Sequence, residues 1–116
     1  MLKLIVRNER SGPVRGFHPW VFSKALASLP EGIAPGEPVL LYDQSGDFLA
    51  SGYFNSYGQI TVRLWGQEED EQVGAGFFTR RIARALDIRR RYVEKEGTDA
   101  YRLVNGENDL LPGLIV

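Results

Sequence analysis

The feature that most constrains this sequence is a series of short apolar segments separated by turns rich in glycine, proline and polar residues. Leu2–Arg7 and Ile60–Trp65 alternate apolar and polar side chains, which predicts half-buried strands. Val39–Tyr42 and Phe48–Ala50 flank the polar segment Asp43–Asp47, which predicts a β-hairpin. Strands this short leave unpaired edges unless the sheet closes on itself, so we predict a small β-barrel.

Three segments connect these strands. Ser11–Gly16 is predicted to be a loop, and Pro19 predicts that a short helix begins within His18–Leu26, since proline suits a first helical turn. Trp20 and Phe22 are then expected to pack this helix onto the barrel. Ser51–Gly58 interleaves glycine with polar and aromatic residues and is predicted to be a turn.

A long helix is predicted over Phe77–Glu96, with Gly97 as its stop signal. Its apolar face is predicted to hold Phe78, Ile82, Ala85, Leu86 and Val93. Arg89 falls in the middle of that face, so we expect either a carboxylate partner or a displaced apolar face. Tyr101–Asn105 and Leu110–Val116 then predict two strands joined by a turn. The sequence stops on an apolar run, and we expect it to be part of a longer protein.

The composition excludes several classes of function. The 116 residues include no cysteine and one histidine, which excludes cysteine-based metal sites and metal sites that need two histidines. The first ten residues are too charged for a signal peptide and no apolar run is long enough to span a membrane, so we expect a cytoplasmic protein.

The net charge of −1 makes a strongly basic nucleic-acid-binding protein implausible, so any attraction to nucleic acid must come from local patches. Residues 67–76 hold four acidic side chains and no basic one, whereas residues 77–97 hold seven basic and three acidic ones. The first of these segments resembles a linker, and the second places a basic stripe on the predicted helix.

Three stretches in the same order carry a family resemblance. They are HPWVFSKAL (His18–Leu26), GDFLASGYFNSYGQITVRLW (Gly46–Trp65) and YRLVNGENDLLPGLIV (Tyr101–Val116). Together they resemble the N-terminal part of the bacterial large-subunit rRNA cytosine-5 methyltransferases that carry a PUA domain. The sequence departs from that pattern at Gly58, where serine is frequent, and at Phe17, which is inserted before His18.

The resemblance implies a mainly β, α+β architecture in which residues 1–70 form a PUA-like RNA-binding barrel. Residues 71–76 would be an acidic linker, and residues 77–116 a basic helix and hairpin that begin a middle domain. The S-adenosylmethionine pocket and the cysteine nucleophile would lie in a methyltransferase domain beyond Val116. We therefore expect no cofactor, metal or catalytic residue within the 116 residues. The expected partners are large-subunit rRNA, the catalytic domain and a second copy of the chain in a homodimer, but no membrane.

The resemblance and the residue chemistry nominate an RNA-binding set in the barrel. Cationic side chains neutralise phosphates, glycine allows close backbone approach, and aromatic or amide side chains bind unpaired bases. For His18, Asn55 and Arg63 we keep structural roles open as alternatives: a helix start, a turn cap and a surface ion pair. The set consists of Arg15, Gly16, His18, Lys24, Tyr53, Asn55 and Arg63.

Two further groups lie after the barrel. The stripe Arg80, Arg84 and Arg91 could meet RNA, another domain or the acidic run, or could be a solvated helix face. Glu107 and Asp109 have the spacing of an acid pair, but we expect them in an exposed hydrogen-bonded turn.

Two alternative functions stay open. One is a PUA-type RNA-binding module of another RNA-modifying protein. The other is a barrel that contacts a protein through an exposed apolar patch of Tyr53, Phe54 and Trp65. Salt dependence separates RNA binding from an apolar protein contact.

Overall fold

The structure is a computed structural model that describes residues 2–98 and 100–116. The chain divides into two compact units, Met1–Asp70 and Glu71–Val116, and each is described by itself. No helix among the described residues has the length and apolar character needed to cross a membrane.

The first unit is one five-stranded sheet with the strand order β1-β3-β4-β5-β2. Strands β1 and β3 are parallel, and every other neighbouring pair is antiparallel. A short helix, α1 (Ser11–Arg15), lies between β1 and β2. The strands are β1 (Leu2–Val6), β2 (Trp20–Phe22), β3 (Pro38–Asp43), β4 (Phe48–Phe54) and β5 (Ile60–Gly66).

The sheet curls until the segment that follows β2 reaches β1. Val6 and Leu26 form an isolated antiparallel bridge, the Arg7 N–H donates to the Ala25 carbonyl at 2.8 Å, and the Ala27 N–H donates to the Ile5 carbonyl at 2.9 Å. These bonds satisfy backbone groups at an edge that would otherwise be open. The predicted small β-barrel with added helices is confirmed.

The core follows from the alternation of the strands. Val62 and Leu64 are buried on β5, as their spacing predicted, and the inward residues of the other strands meet them. At Gly52 the backbones of β4 and β5 are too close for a side chain on that residue, since a Cβ there would be 2.4 Å from the Arg63 carbonyl oxygen. The inward residues include Leu4, Val6, Val21, Leu26, Val39, Leu41, Ala50 and Phe54.

The helix predicted within His18–Leu26 is wrong. Residues Trp20–Phe22 form β2, Ser23–Ala25 form one 3₁₀ turn, and the helix of this region lies earlier, at Ser11–Arg15, where a loop was predicted. Pro13 occupies the third position of that helix, so the proline that helps begin a helix is Pro13 and not Pro19. Trp20 and Phe22 are consequently exposed and not in the core.

The turn predicted over Ser51–Gly58 is shorter than expected, because β4 continues to Phe54. Phe54 packs in the core and Trp65 is 6% exposed. The expected exposed patch of Tyr53, Phe54 and Trp65 is therefore absent, and that interpretation of the barrel as an apolar protein-contact surface is wrong.

The second unit begins with α2 (Ala75–Tyr92), which continues into a 3₁₀ turn at Glu94–Glu96. Gly97 ends it in the left-handed conformation with φ of 82°, as its role as a stop signal predicted. The buried face is displaced from the predicted one, because Phe77 is buried and Phe78 is exposed.

The two strands predicted near the end are also reduced. Asn105 and Ile115 form one isolated antiparallel bridge, supported by a bond from the Val116 N–H to the Val104 carbonyl at 3.1 Å. Between them, Gly106–Asp109 forms a 3₁₀ turn that ends at Leu110 with a left-handed φ of 58°. The chain does return antiparallel, but too few backbone pairs form to make strands.

Candidate nucleic-acid interface

A groove of about 570 Å³ runs beside β2 in the first unit. Val21 points into the core, so Trp20 and Phe22 on either side of it point outward, and they are 38% and 43% exposed. We call this the β2 groove; its polar and aromatic lining includes Arg10, His18, Trp20, Phe22, Lys24 and Gln59. Large aromatic side chains beside cationic ones are typical of surfaces that bind single-stranded nucleic acid.

The charge of the β2 groove is positive. Arg10 and Lys24 line it, and its lining includes no carboxylate. Both side chains are exposed, and within residues 2–98 and 100–116 neither forms an ion pair. Their charge is therefore available to an anionic ligand.

His18 and Arg63 both approach Trp20. The His18 and Trp20 rings meet edge to face with centroids 6.1 Å apart, and His18 Nδ1 lies 3.1 Å from the Trp20 carbonyl oxygen. The Arg63 guanidinium carbon lies 5.9 Å from the centre of the Trp20 ring. A cation over an indole and an edge-on imidazole restrict how the exposed ring can turn.

Strand register explains why these residues meet. Arg63 on β5 is opposite Trp20 on β2 and opposite Tyr53 on β4, so the three form a row across the sheet. Tyr53 also lies 6.1 Å from Trp65, centroid to centroid. The structure thus brings together His18, Arg63 and Tyr53 of the predicted set: Trp20 lies between His18 and Arg63, and Tyr53 lies beyond Arg63 in the same row.

Arg15 and Gly16 lie at the end of α1 and do not line the β2 groove. The Arg15 guanidinium, half exposed, pairs with the Asp43 carboxylate, which is 5% exposed at the end of β3. Hydrogen bonds from the Asp47 and Ser45 N–H groups, with the Arg15 charge, hold the pKa of Asp43 below its usual value despite burial. Arg15 therefore stabilises a buried carboxylate as well as presenting charge to solvent.

Asn55 lies in the turn between β4 and β5, outside the lining of the β2 groove. Its Oδ1 accepts a hydrogen bond from the Tyr57 N–H at 3.0 Å. This is the turn-capping role that the sequence left open as an alternative for Asn55.

The β2 groove also includes residues that lie outside the RNA-binding set predicted from the sequence, among them Arg10, Trp20, Phe22 and Gln59. A signal for Phe22 was present, since the apolar run Trp20-Val21-Phe22 fits a two-residue period as well as a helix start. No local pattern marks Arg10 or Gln59, because the fold brings them to the groove from other segments.

In the second unit, Arg80, Arg84 and Arg91 are exposed along α2. Arg91 Nε lies 3.1 Å from an Asp87 oxygen one helical turn away, and Arg80 lies 3.9 Å from Glu71. The Arg91–Asp87 pair is exposed at both ends and therefore weak, and Glu71 pairs more closely with Arg81, at 3.1 Å, so the stripe keeps most of its positive potential.

Arg89 has the carboxylate partner that its position predicted. Its two terminal nitrogens donate to the two Asp109 oxygens at 2.5 and 2.7 Å, and the Asn105 N–H donates to Asp109 at 2.7 Å. The expected exposed turn is wrong for Asp109, which is 2% exposed. Burial alone would raise the pKa of Asp109, but the bonds from Arg89 and Asn105 hold the pKa below its usual value.

The pairing with Arg89 makes Asp109 a structural carboxylate, and Glu107 nearby in the same turn is half-buried. In the described part of the chain, no three histidine, aspartate or glutamate side chains come together as a metal site.

Comparison with known proteins matches residues 4–67, from β1 to the end of β5, to the PUA-like domain family. The chain is 36% identical over 114 residues to ribosomal RNA large subunit methyltransferase I of Alteromonas mediterranea, and 38% identical over 114 residues to the protein of that name from Salmonella arizonae. It covers 29% and 28% of the length of these relatives, while the alignments cover 98% of this chain.

Among solved structures, a candidate SAM-dependent methyltransferase from Streptococcus mutans superposes with a TM-score of 0.81 at 21% identity. The match covers 99% of this chain and 30% of that protein, and it supports the fold. Because the family model matches nearly all of the β-barrel unit, this chain belongs to the PUA-like domain family.

Proposed function

We propose that the first unit binds RNA through the β2 groove. The observation that carries the proposal is the combination, in one groove of a PUA-like domain, of exposed Trp20 and Phe22 with Arg10 and Lys24, two exposed cations for which no described residue forms an ion pair. Cations neutralise backbone phosphates and aromatic faces accept bases, so this set fits single-stranded or loop RNA better than an apolar partner.

The other nominated residues surround this groove in different ways. Tyr53 and Arg63 extend the row that begins at Trp20, and we propose that they border the RNA path. Arg15 and Gly16 would meet the backbone beyond the groove, and Asn55 would contribute from the next turn. In the second unit, the stripe of Arg80, Arg84 and Arg91 is proposed as a further contact for RNA or for another domain.

We further propose that the chain is the N-terminal part of an S-adenosylmethionine-dependent methyltransferase that acts on cytosine C5 of large-subunit rRNA in the cytoplasm. The names and identities of the two curated relatives support this proposal, as does the small share of their length that the chain covers. Residues 77–116 would then begin a middle domain. A homodimer is a separate expectation, and sedimentation velocity at several concentrations tests it.

The residues present do not fit a site for the methyl donor. A nucleotide cofactor in such enzymes needs a glycine-rich turn that joins a strand directly to a helix. In the described part of the chain, α2 is separated from β5 by residues 67–74, so no strand leads directly into this helix. We propose that the donor binds elsewhere in the longer protein and that residues 1–116 position RNA without catalysing the transfer.

The test is a titration of residues 1–116 against a structured large-subunit rRNA fragment and a scrambled control, at low and near-physiological salt. Lys24→Ala is compared with Lys3→Ala, a matched exposed lysine that does not line the groove. We expect salt-dependent binding, and Lys24→Ala should flatten the slope of log K against log salt by about 0.7. Absence of binding at low salt by the folded protein would refute the proposal, and so would equal effects of the two variants.

A further inference from the structure

We propose that the β2 groove accommodates one unpaired base, stacked against Trp20 and Phe22, so that the site selects RNA with an unstacked nucleotide over a continuous duplex. The inference rests on the proposed function and goes further, because phosphate contacts alone would not distinguish these two forms of RNA.

Strand geometry supplies the first argument. Trp20 and Phe22 are two positions apart on β2, with Val21 buried between them, so both side chains stand on the outer face. Two residues of a strand span about 6.6 Å. That distance is close to twice the stacking separation of about 3.4 Å between neighbouring bases, so one planar base has room to stack between the Trp20 and Phe22 side chains.

The strand irregularity supplies the second argument. The pairing of β2 with β5 shifts between Val21 and Phe22, so Phe22 is opposite Ile60 while Val21 is opposite Val62. The extra residue, Thr61, lies on β5, and such a bulge increases the local twist beside β2, as bulges beside binding sites often do. Phe22 lines the same groove as Trp20.

Charge and volume supply the third argument. The groove, of about 570 Å³, is lined by Arg10 and Lys24 and, among the described residues, by no carboxylate. A base that enters it carries its phosphates past these two cations. A duplex end or a stacked helix cannot bring a base to this depth without unpairing it, whereas a loop or bulge nucleotide is already unstacked.

The experiment compares two RNAs of equal length and composition, one a stem with an unpaired loop that contains 2-aminopurine and the other a continuous duplex with the same label. Each is titrated with the 116-residue chain and with the variants Trp20→Ala, Trp20→Phe, Phe22→Ala and Lys24→Ala. We expect the loop RNA to bind about 5- to 100-fold more tightly than the duplex, the range that stacking on an aromatic side chain gives. Stacking should quench the loop 2-aminopurine.

The variants separate the two proposals. Trp20→Ala and Phe22→Ala should remove the preference for the loop and the quenching, Trp20→Phe should keep most of both, and Lys24→Ala should weaken both RNAs equally. Circular dichroism confirms that each variant folds. If RNA binds in a salt-dependent way but loop and duplex bind equally, the base pocket is refuted and the proposed function stands. If neither RNA binds at low salt, both are refuted.

Discussion

Arg15 and Asp43 form a salt bridge in which the cation is half exposed and the carboxylate is almost fully buried. The Asp43 carboxylate also accepts the Ser45 and Asp47 N–H groups at 2.9 Å, so it organises the hairpin turn between β3 and β4. Arg15 therefore acts on the stability of the barrel whether or not it contacts RNA.

The first prediction separates the roles of two cations. Arg15→Ala should lower both the thermal midpoint and RNA affinity, because it leaves Asp43 without its cation and removes a surface charge. Lys24→Ala should lower affinity alone, since no described residue forms an ion pair with Lys24. Thermal unfolding and RNA titration of each variant measure both effects.

In the Arg15→Ala background, Asp43→Asn should restore part of the lost thermal midpoint, because the amide oxygen still accepts hydrogen bonds from the turn N–H groups and carries no charge. A thermal midpoint unchanged by Arg15→Ala would contradict this assignment.

The second prediction concerns the buried pair of Arg89 and Asp109. Replacing Arg89 with leucine leaves a buried carboxylate uncompensated and should cost about 3–5 kcal/mol of unfolding free energy. Arg91→Ala, which breaks an exposed pair on the same helix, should change it by less than about 1 kcal/mol. Urea denaturation followed by circular dichroism gives both values. A similar small loss for both variants would mean that the pair does not hold the end of the chain to α2.

The third prediction concerns pH. Asp43 and Asp109 both have pKa values below their usual range in the folded protein. As the pH falls, the unfolded chain therefore binds more protons than the folded protein does. The stability that these two carboxylates contribute is complete above about pH 4 and is lost as the pH drops through their folded pKa values. Thermal midpoints measured from pH 7 to pH 2 should fall most steeply below pH 4. In Asp109→Asn the midpoint should be lower at pH 7 and decline less in acid; an equally steep decline would assign the acid sensitivity to other carboxylates.

The fourth prediction concerns Gly52. An alanine there would place its Cβ 2.4 Å from the Arg63 carbonyl oxygen and 2.8 Å from Val62, so β4 and β5 would have to separate. Gly52→Ala should destabilise the protein by about 1–3 kcal/mol, the usual cost of overpacking. Gly12→Ala is the control, because nothing lies within 4 Å of its added Cβ in α1 and alanine favours helix. Chemical denaturation should show opposite signs for the two variants, and a neutral Gly52→Ala would contradict the close approach.

The positions of β1, β3 and β5 could be predicted from the sequence, because their apolar patterns lie within a few neighbouring residues and the folded sheet buries those same residues. It misplaced the helix near His18, because Pro13 and Pro19 both suit a first helical turn and only packing decides between them. The carboxylate partner of Arg89 was predictable from burial chemistry, whereas its identity, Asp109, depends on how the end of the chain returns to α2.

The candidate site was predicted in part. Lys24 and His18 were nominated and line the β2 groove, but Trp20 and Phe22 were expected in the core. Aromatic residues are usually buried, and the exposure of this pair follows from β2 being a strand at the end of the sheet order. That position is a property of the tertiary fold, which no short stretch of sequence specifies.

The most direct test of RNA binding at the β2 groove uses the two tryptophans of the chain, of which Trp20 is exposed in the groove and Trp65 is buried. Their indole N–H groups give two separate ¹H–¹⁵N NMR signals, assigned with Trp20→Phe. During titration with a loop-containing rRNA fragment, we expect the Trp20 signal to shift progressively while the Trp65 signal stays nearly constant, and added salt should reverse the shift. If RNA binds and moves backbone signals of other surfaces while the Trp20 signal stays in place, RNA does not bind at the β2 groove.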